Sequence, residues 1–387
     1  MSGRRSPKGI PVASDQPKFG CIALLLQGGG ALGAYQAGVY DALADSSIQP
    51  NWVAGISIGA INAAIIAGNP PEKRVERLRQ FWDQITKSPV STWLGAVNEW
   101  FFRGDHGRGI FNQFSATESI LSGAPGFFTP RIPSPWLQPP GVLEATSYYD
   151  TDPLKATLEQ LVDFDRINSG EMRFSVGAVN VRTGNFTYFD TTTDYIRPEH
   201  VMASGALPPG FPAVEIDGEY YWDGGLVSNT PLQWVLESGP REDTLAFQVD
   251  LWSARGNFPR TMNEVAVRQK DIQFSSRTRD NTDHFKQLQK LRHALAKLLP
   301  AVPDALKQTA EFELLNAATD HSAYNIVHLI YRAKNYEGDS KDYEFSRLTM
   351  EEHWTAGVND ATRALRHPEI LERPKDGDGV FTFDFVD

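Results

Sequence analysis

Two short apolar runs, each followed by a glycine-rich turn and an apolar helical pattern, constrain the fold of this chain most strongly. Residues Cys21–Leu26 predict a buried strand, and apolar side chains then recur at helical spacing from Leu32 to Leu43. Residues Trp52–Ala54 predict a second strand, and Ala60–Ala67 predict a helix of small residues. Strands that alternate with helices are typical of a parallel sheet covered by helices. The sequence therefore predicts an α/β fold with a mainly parallel central sheet.

The composition is that of an ordinary globular protein with an acidic balance. The chain has 387 residues, of which 41% are apolar and 22% charged, and its net charge is −11. This charge argues against a nucleic acid as a partner. The single cysteine, Cys21, cannot form a disulfide within the chain, which favours the reducing cytoplasm. The longest apolar stretch, residues 53–68, is shorter than the roughly 20 residues that span a bilayer.

The first 18 residues and a later aromatic segment differ from the strand and helix pattern. Residues 1–18 are basic and contain three prolines, and they lack the apolar core of a signal peptide, so we predict a disordered tail. Residues 86–147 combine clustered Trp and Phe with six prolines between Pro125 and Pro140. This pattern predicts an insertion with little regular structure, of the kind that forms lids or binding loops.

The end of the chain has a different character and predicts an extension of mixed α and β structure at residues 252–387. An apolar stripe over residues 285–298 predicts a helix, and residues 325–331 predict a strand. Phenylalanines alternate with small or polar residues over 381–385, as in a strand at the edge of a sheet.

The pentapeptide Gly55-Ile56-Ser57-Ile58-Gly59 has the Gly-x-Ser-x-Gly pattern of a nucleophilic serine. In this pattern the serine lies on a sharp turn from strand to helix, and the glycines relieve crowding around it. The N-terminus of the following helix favours the negative charge that develops during attack. The position of Ser57 between a predicted strand and a predicted helix supports this interpretation. The alternative is a tight turn whose serine caps the helix.

The glycine run from Gly28 to Gly33 matches the dinucleotide fingerprint Gly-x-Gly-x-x-Gly and lies between a predicted strand and a helix. That fingerprint also requires an acidic residue at the end of the second strand, where this chain has Ala54 and Gly55. We therefore favour an oxyanion hole, in which consecutive backbone N–H groups bind one oxygen. One such donor is worth about 3 kcal/mol of transition-state stabilisation.

Asp223 follows an aromatic run and precedes Gly224 and Gly225, so the backbone can approach it closely. An unperturbed aspartate has a pKa of about 3.9 and is a weak base at pH 7. We expect Tyr221 and Trp222 to desolvate Asp223 and to raise its pKa. The histidines that follow Asp223 offer the alternative order Ser…Asp…His of a triad, but none lies in a loop with obvious turn chemistry. An aspartate that only forms a turn is the other alternative.

Taken in this order, the three motifs resemble those of the patatin-like phospholipases, over about residues 19–251. Two further stretches are similar to the family, namely Ala203–Phe211 and Gly224–Pro231. The resemblance implies that Ser57 is the nucleophile and Asp223 the base of a Ser–Asp dyad. It places the oxyanion hole on backbone N–H groups of Gly28, Gly29, Gly30, Ala31 and Ile58. The glycines that frame the motifs are Gly33, Gly55, Gly59, Gly224 and Gly225.

The resemblance also implies an architecture and a reaction. The family fold has three layers, with a mainly parallel central sheet flanked by helices, and residues 252–387 resemble the C-terminal extension of a bacterial subgroup. The reaction is ester cleavage through an acyl-enzyme, without a metal or cofactor. The chain departs from the family at Leu32, where many members carry Arg or Lys. If that charge helps to hold a phosphate, this protein prefers less charged esters.

Three functions are open at this level. The first is a lipid acyl hydrolase for phospholipids or neutral lipids, and the second is a soluble esterase for short acyl or hydroxyacyl esters. The third is a membrane-docking or scaffold module with weak catalysis. Segment 255–307 carries eleven Lys or Arg against five Asp or Glu, which favours peripheral contact with a membrane, although a solvated helical face is the commoner explanation. No pattern indicates an oligomeric state.

Overall fold

The computed structural model describes residues 19–87, 105–238, 241–275, 278–334, 336–374 and 379–385. The tail predicted at residues 1–18 lies outside the described residues, as do residues 88–104 of the predicted insertion. Within the described ranges, no helix combines the length and the apolar character needed to cross a membrane.

The strands of the described residues form one large sheet and one small one. They are β1 (Cys21–Leu26), β2 (Trp52–Gly55), β3 (Thr129–Pro130), β4 (Tyr149–Asp150), β5 (Arg173–Asn180), β6 (Phe186–Asp190), β7 (Val214–Ile216), β8 (Glu219–Asp223), β9 (Thr244–Asp250), β10 (Tyr324–Ile330) and β11 (Val380–Asp384). The large sheet has the order β11-β10-β9-β1-β2-β5-β8-β7, and β6 also pairs with β5. The small sheet is the antiparallel pair β3 and β4.

Helices flank the large sheet. They are α1 (Ala34–Ala44), α2 (Ile58–Ala67), α3 (Pro71–Ile85), α4 (Asp105–Ser122), α5 (Asp152–Leu161), α6 (Phe164–Asn168), α7 (Pro198–Ser204), α8 (Leu232–Glu237), α9 (Met262–Phe274), α10 (Thr278–Leu298), α11 (Ala310–Ala318) and α12 (Arg347–Leu365). The sheet is mixed but mostly parallel, which confirms the predicted fold class.

The first strand lies at the centre of the sheet and sets the position of the loops that follow it. β1 is parallel to both of its neighbours, β2 and β9, and all its residues are buried. Burial on both faces explains why its sequence is a continuous apolar run. Leu26 aligns with Gly55 of β2 and with Val249 of β9. The turns after β1 and β2 therefore lie side by side at the carboxyl edge of the sheet, where ligands bind in open α/β folds.

The predicted C-terminal extension adds strands to the same sheet. β10 pairs in parallel with β9, and β11 pairs in parallel with β10 and forms the edge. The alternating phenylalanines of residues 381–385 thus lie on and just after an edge strand, as predicted. Strands on both sides of residue 251 belong to this sheet. The boundary between catalytic domain and extension at residue 251 stays a proposal that rests on the resemblance.

Part of the predicted insertion is regular. α4 is a helix that the sequence analysis missed, and it ends before the prolines begin at Pro125. Between Pro125 and Pro140 the structure has the two-residue strand β3 and a short 3-10 turn at Pro135–Leu137. The proline cluster therefore marks the irregular part, because proline removes a backbone donor and fixes φ.

Close packing of α12 on α1 fastens the extension to the first helix. A Cβ atom at Gly357 would lie 2.0 Å from the carbonyl oxygen of Tyr35, and one at Gly38 would lie 2.0 Å from that of Trp354. The Trp354 indole N–H donates to the Asp41 carboxylate at 2.8 Å. Glycine at these two positions lets the two helix backbones touch.

We expect Gly357→Ala to lower the free energy of unfolding by about 1–3 kcal/mol, because the added methyl group overlaps the Tyr35 carbonyl. Urea-induced unfolding measures this change. Gly109→Ala in α4 is the matched control, since a Cβ there would meet its nearest atom, the Tyr336 carbonyl oxygen, at 3.6 Å. Alanine at this helical position is neutral or stabilising. Equal losses in the two variants would contradict the packing account.

Candidate active site

Ser57 occupies a strained turn between β2 and α2. Its φ of 56° and ψ of −124° lie in a region that costs a non-glycine residue about 1–3 kcal/mol. The Ser57 N–H donates to the Ser204 hydroxyl at 3.0 Å, and that hydroxyl donates to the Gly177 carbonyl at 2.7 Å. No hydrogen bond from the Ser57 side chain caps α2 among the described residues. The turn is therefore held by its backbone, and the side chain is left for another role.

The two glycines that frame Ser57 are required by close backbone contacts. A Cβ at Gly55 would lie 2.3 Å from the Gly59 carbonyl oxygen, and one at Gly59 would lie 2.2 Å from that of Leu26. Both distances are far shorter than a van der Waals contact. A side chain at Gly55 would push β2 away from the start of α2, and one at Gly59 would push α2 away from the end of β1.

Asp223 ends β8 and is 2% exposed. Its carboxylate accepts the Gly225 N–H at 2.7 Å, and the Ser57 hydroxyl lies close to it. Burial raises the pKa of Asp223 to about 7, and the interactions with Ser57 and Gly225 oppose that rise. The direction of this pKa shift agrees with the sequence-based expectation.

The residues expected to desolvate Asp223 do not line the cavity into which it faces. Tyr221 packs against the Phe189 ring at 5.2 Å, and Trp222 is the preceding residue on β8. Gly224 instead allows the close approach, because a Cβ there would lie 2.6 Å from the Gly177 carbonyl oxygen. The rise in the pKa of Asp223 was therefore expected, and its attribution to Tyr221 and Trp222 stays a prediction.

In the glycine loop after β1, some backbone N–H groups donate to a carbonyl of the described chain and others do not. The Gly28 N–H donates to the Asn229 carbonyl at 3.3 Å, and the Ala31 N–H donates to the Asp342 carbonyl at 2.8 Å. These two groups are therefore engaged, which corrects their assignment as oxyanion donors. Asp342 lies in the extension, and nothing in the local pattern of the glycine loop indicates so distant an acceptor.

Three of the predicted donors remain free. The N–H groups of Gly29, Gly30 and Ile58 have no acceptor in the part of the chain that the structure describes, and all three residues line a cavity beside Ser57. Gly30 has a φ of 55°, in the left-handed region that favours glycine. These three groups form the remaining set of candidate oxyanion donors.

Two further positions from the motif analysis have structural roles. A Cβ at Gly33 would lie 2.6 Å from Cγ1 of Ile58, so this glycine lets the loop pack on α2. Leu32 is fully buried in the apolar core. Position 32 therefore carries no charge and makes hydrophobic contacts in the core.

The cavity beside Ser57 and Asp223 has a volume of about 330 Å³ and mostly apolar walls. The glycine loop and α2 form one side, and another is formed by Ser119, Ile120, Phe127 and Phe128 of the predicted insertion together with Tyr149 just after it. The extension also contributes through Trp252, Phe274 and Phe345. The lining residues that the structure describes include no His, Lys or Arg. Ser57 and Asp223 thus lie together at the wall of an apolar chamber.

Asn229 is a residue of the site to which local sequence assigns no role. It lies shortly before α8, which begins at Leu232. The Asn229 side chain donates to the Gly28 carbonyl at 3.0 Å and to the Phe274 carbonyl at 2.8 Å. It ties the glycine loop to the extension, a connection that only the tertiary structure reveals.

Comparison with known families gives two matches along the chain. A family model described as "Patatin-like phospholipase" matches residues 24–235, and a second, described as "Patatin phospholipase", matches residues 272–377. The first match contains the turn at Ser57 and the end of β8 at Asp223, and the second falls in the extension. No curated protein matches the chain.

Among solved structures, the chain is similar to VipD from Legionella pneumophila. The two share 15% sequence identity over 90% of this chain and 67% of that one, with a TM-score of 0.38.

The raised pKa of Asp223 predicts that the free energy of unfolding depends on pH. A carboxyl whose pKa is about 7 in the folded protein and about 3.9 when unfolded stabilises the fold below pH 4, and this stabilisation is lost as pH rises to 7. Asp223→Asn removes the buried charge. We expect the variant to gain about 3 kcal/mol relative to wild type between pH 5 and pH 8.5, measured by urea-induced unfolding at each pH.

Asp190→Asn is the matched control for this measurement. Burial alone would raise the pKa of Asp190, but hydrogen bonds from Arg173, Ser175 and Thr192 hold it below its usual value. Its ionised form stabilises the fold above pH 4, so Asp190→Asn should lose stability relative to wild type as pH rises. A pH-independent difference for Asp223→Asn would contradict the account of the buried carboxyl.

Proposed function

The chain belongs to the patatin-like phospholipase family, and we propose that it is a serine lipid acyl hydrolase with Ser57 as nucleophile and Asp223 as base. It cleaves carboxylic esters of phospholipids or neutral lipids. The observation that carries this proposal is that Ser57 and the buried Asp223 carboxyl line the same apolar cavity, and burial raises the pKa of Asp223 to about 7.

The proposed reaction begins with proton transfer from the Ser57 hydroxyl to the Asp223 carboxylate. The serine oxygen attacks the ester carbonyl carbon, and the oxyanion is bound by the N–H groups of Gly29 and Gly30, assisted by that of Ile58. The alcohol leaves with the proton, and the acyl group remains on Ser57. A water molecule then gives a proton to Asp223 and attacks the carbonyl carbon of the acyl-enzyme. As the bond to Ser57 breaks, Asp223 returns the proton to the serine oxygen and the fatty acid is released.

Asp223 is suited to this task because of its surroundings. A general base is most effective when its pKa is near the working pH, and burial brings Asp223 to that range. The described cavity lining contains no histidine that would serve as an alternative base. These two observations support a dyad over a triad.

The shape and chemistry of the cavity support a lipid as substrate. Its walls include Ile61, Phe127, Phe128 and Phe211, and each buried methylene of an acyl chain gains about 0.8 kcal/mol against such walls. Short acyl or hydroxyacyl esters would leave much of this apolar surface uncovered. We therefore favour the lipid hydrolase over the soluble short-chain esterase.

The test of the dyad is hydrolysis of p-nitrophenyl esters from C2 to C16 by wild type and two variants. Ser57→Ala and Asp223→Asn should each lower kcat/KM by roughly 10³-fold or more, since a nucleophile and its base act as one unit. Wild-type kcat/KM should rise with pH through about 7, because Asp223 must lose its proton before it accepts another. The optimum should lie at medium or long acyl chains.

Asp217→Asn is the matched control, since Asp217 is an exposed aspartate that pairs with Arg197. It should leave kcat/KM unchanged. Activity that is lost in Ser57→Ala but kept in Asp223→Asn would point to a different base. An optimum at C2 would favour the short-chain esterase.

We also propose that the protein is cytoplasmic and contacts membranes peripherally through the loop at residues 131–148, here called the β3–β4 loop. Its side chains at Ile132, Trp136 and Leu137 are 92%, 82% and 77% exposed. At the base of the loop, Phe128 and Tyr149 line the cavity. Exposed apolar residues on a loop whose flanking residues line an apolar chamber are suited to a lipid surface.

We expect the double substitution Ile132→Ser and Trp136→Ser to lower binding to phosphatidylcholine vesicles, and hydrolysis of their lipid, by about tenfold. Hydrolysis of a water-soluble ester should not change, because both side chains lie outside the cavity. Cosedimentation and fatty-acid release measure the two effects. Phe258→Ser is the control, since Phe258 is 89% exposed but lies outside the loop. Equal losses on soluble ester and vesicles would count against a docking role.

A further inference from the structure

The extension reaches the glycine loop through a short segment, residues 339–345, which we call the anchor segment. Its Asp342 carbonyl oxygen accepts the Ala31 N–H at 2.8 Å. A Cβ at Gly30 would lie 2.1 Å from the same oxygen, so the two backbones are in direct contact. Ala31 follows Gly30, whose N–H is one of the free candidate oxyanion donors. The anchor segment therefore contacts the loop next to these donors.

Two ion pairs with α9 hold the anchor segment in place. Lys270 pairs with the Asp342 carboxylate at 2.8 Å and also donates to the Asp339 carbonyl at 2.7 Å. Lys341 pairs with Asp271 at 2.6 Å, and its side chain is only 3% exposed. In one pair the lysine belongs to α9 and the aspartate to the anchor segment, and in the other pair this is reversed. The paired residues are adjacent in each element, so the segment is fixed against α9 at two neighbouring positions.

Gly28, at the other end of the glycine loop, is also held by side-chain hydrogen bonds. The Trp252 indole N–H donates to the Gly28 carbonyl at 2.9 Å, and Asn229 donates to that carbonyl and to Phe274 at the end of α9. Lys341 lies over the Trp252 ring at 4.8 Å and so connects the two anchors. Between the anchored residues Gly28 and Ala31 lie Gly29 and Gly30, whose N–H groups are free.

We propose that Asp342, held by Lys270, is a positioning residue for the oxyanion hole. Its carbonyl fixes Ala31, and this keeps the N–H groups of Gly29 and Gly30 in place before the substrate binds. Glycine-rich backbone is flexible by itself, and donors stabilise a transition state best when they need no reorganisation. The extension thus completes the catalytic site, an inference that rests on the proposed hydrolase function.

The test compares kcat and KM on a soluble p-nitrophenyl ester for Asp342→Ala and Lys270→Met. Each should lower kcat by about tenfold and leave KM within about twofold, because a loosened donor affects the transition state more than ground-state binding. Asp342→Asn keeps a side-chain acceptor for Lys270 and should recover part of the loss. The double variant should be no worse than the poorer single variant, since each single variant already breaks the Lys270–Asp342 pair.

Asp304→Ala is the matched control, since it removes another Lys–Asp pair, to Lys307, at an exposed position. It should leave kcat unchanged. A second readout is hydrogen exchange of the backbone in peptides that cover residues 27–33, measured on folded protein. Exchange at the Ala31 N–H should speed up in Asp342→Ala and Lys270→Met but not in the control.

Unchanged kcat together with unchanged exchange would overturn the proposal, as would a loss that appears only in KM. A wild-type enzyme without esterase activity, or with activity that survives Ser57→Ala, would instead refute the proposed function. In that case the exchange measurement still decides the structural part. Faster exchange in both variants would support anchoring of the loop by Asp342, and unchanged exchange would overturn it.

Discussion

Burial of the Asp223 carboxyl beside Ser57 is the interaction on which the rest of the site depends. Removal of water raises the pKa of Asp223 to about 7, and a hydrogen bond from the Gly225 N–H holds the carboxyl in place. A carboxyl in this range is partly ionised near neutral pH and still basic enough to take a proton. The same burial costs stability when the group is charged, so the surrounding sheet must supply the free energy that keeps it there.

The sheet also brings turns that are distant in sequence to one edge. Parallel pairing of β1 with β2 and β9 sets the glycine loop beside the turn at Ser57, and β8 ends at Asp223 next to β5. The extension then adds β10 and β11 to this sheet and packs α12 on α1. Through Asp342 the extension contacts the glycine loop, and residues of the extension and of the first part of the chain together line the cavity.

Much of this arrangement could be predicted from local sequence, and the remainder could not. The run Cys21–Leu26 and the glycine-framed Ser57 carry their structure in composition and spacing, and the aromatic strand before Asp223 does the same. The contacts of Asn229 and Asp342 are tertiary, since each joins segments far apart in sequence, and hydrogen bonds to backbone carbonyls leave no side-chain pattern to recognise. For that reason the sequence predicted five oxyanion donors, whereas two of those N–H groups are already engaged.

Covalent labelling by an alkyl fluorophosphonate tests the central claim most directly, because the reagent phosphonylates an activated serine and loses fluoride. The rate would be followed by intact mass from pH 5 to pH 9 in wild type and in Asp223→Asn, with peptide mapping of the product. The account predicts one adduct, on Ser57, whose rate in wild type rises through an apparent pKa of about 7 and in Asp223→Asn is slow and without that ionisation. Labelling at another serine, or the same pH profile in both proteins, would contradict it.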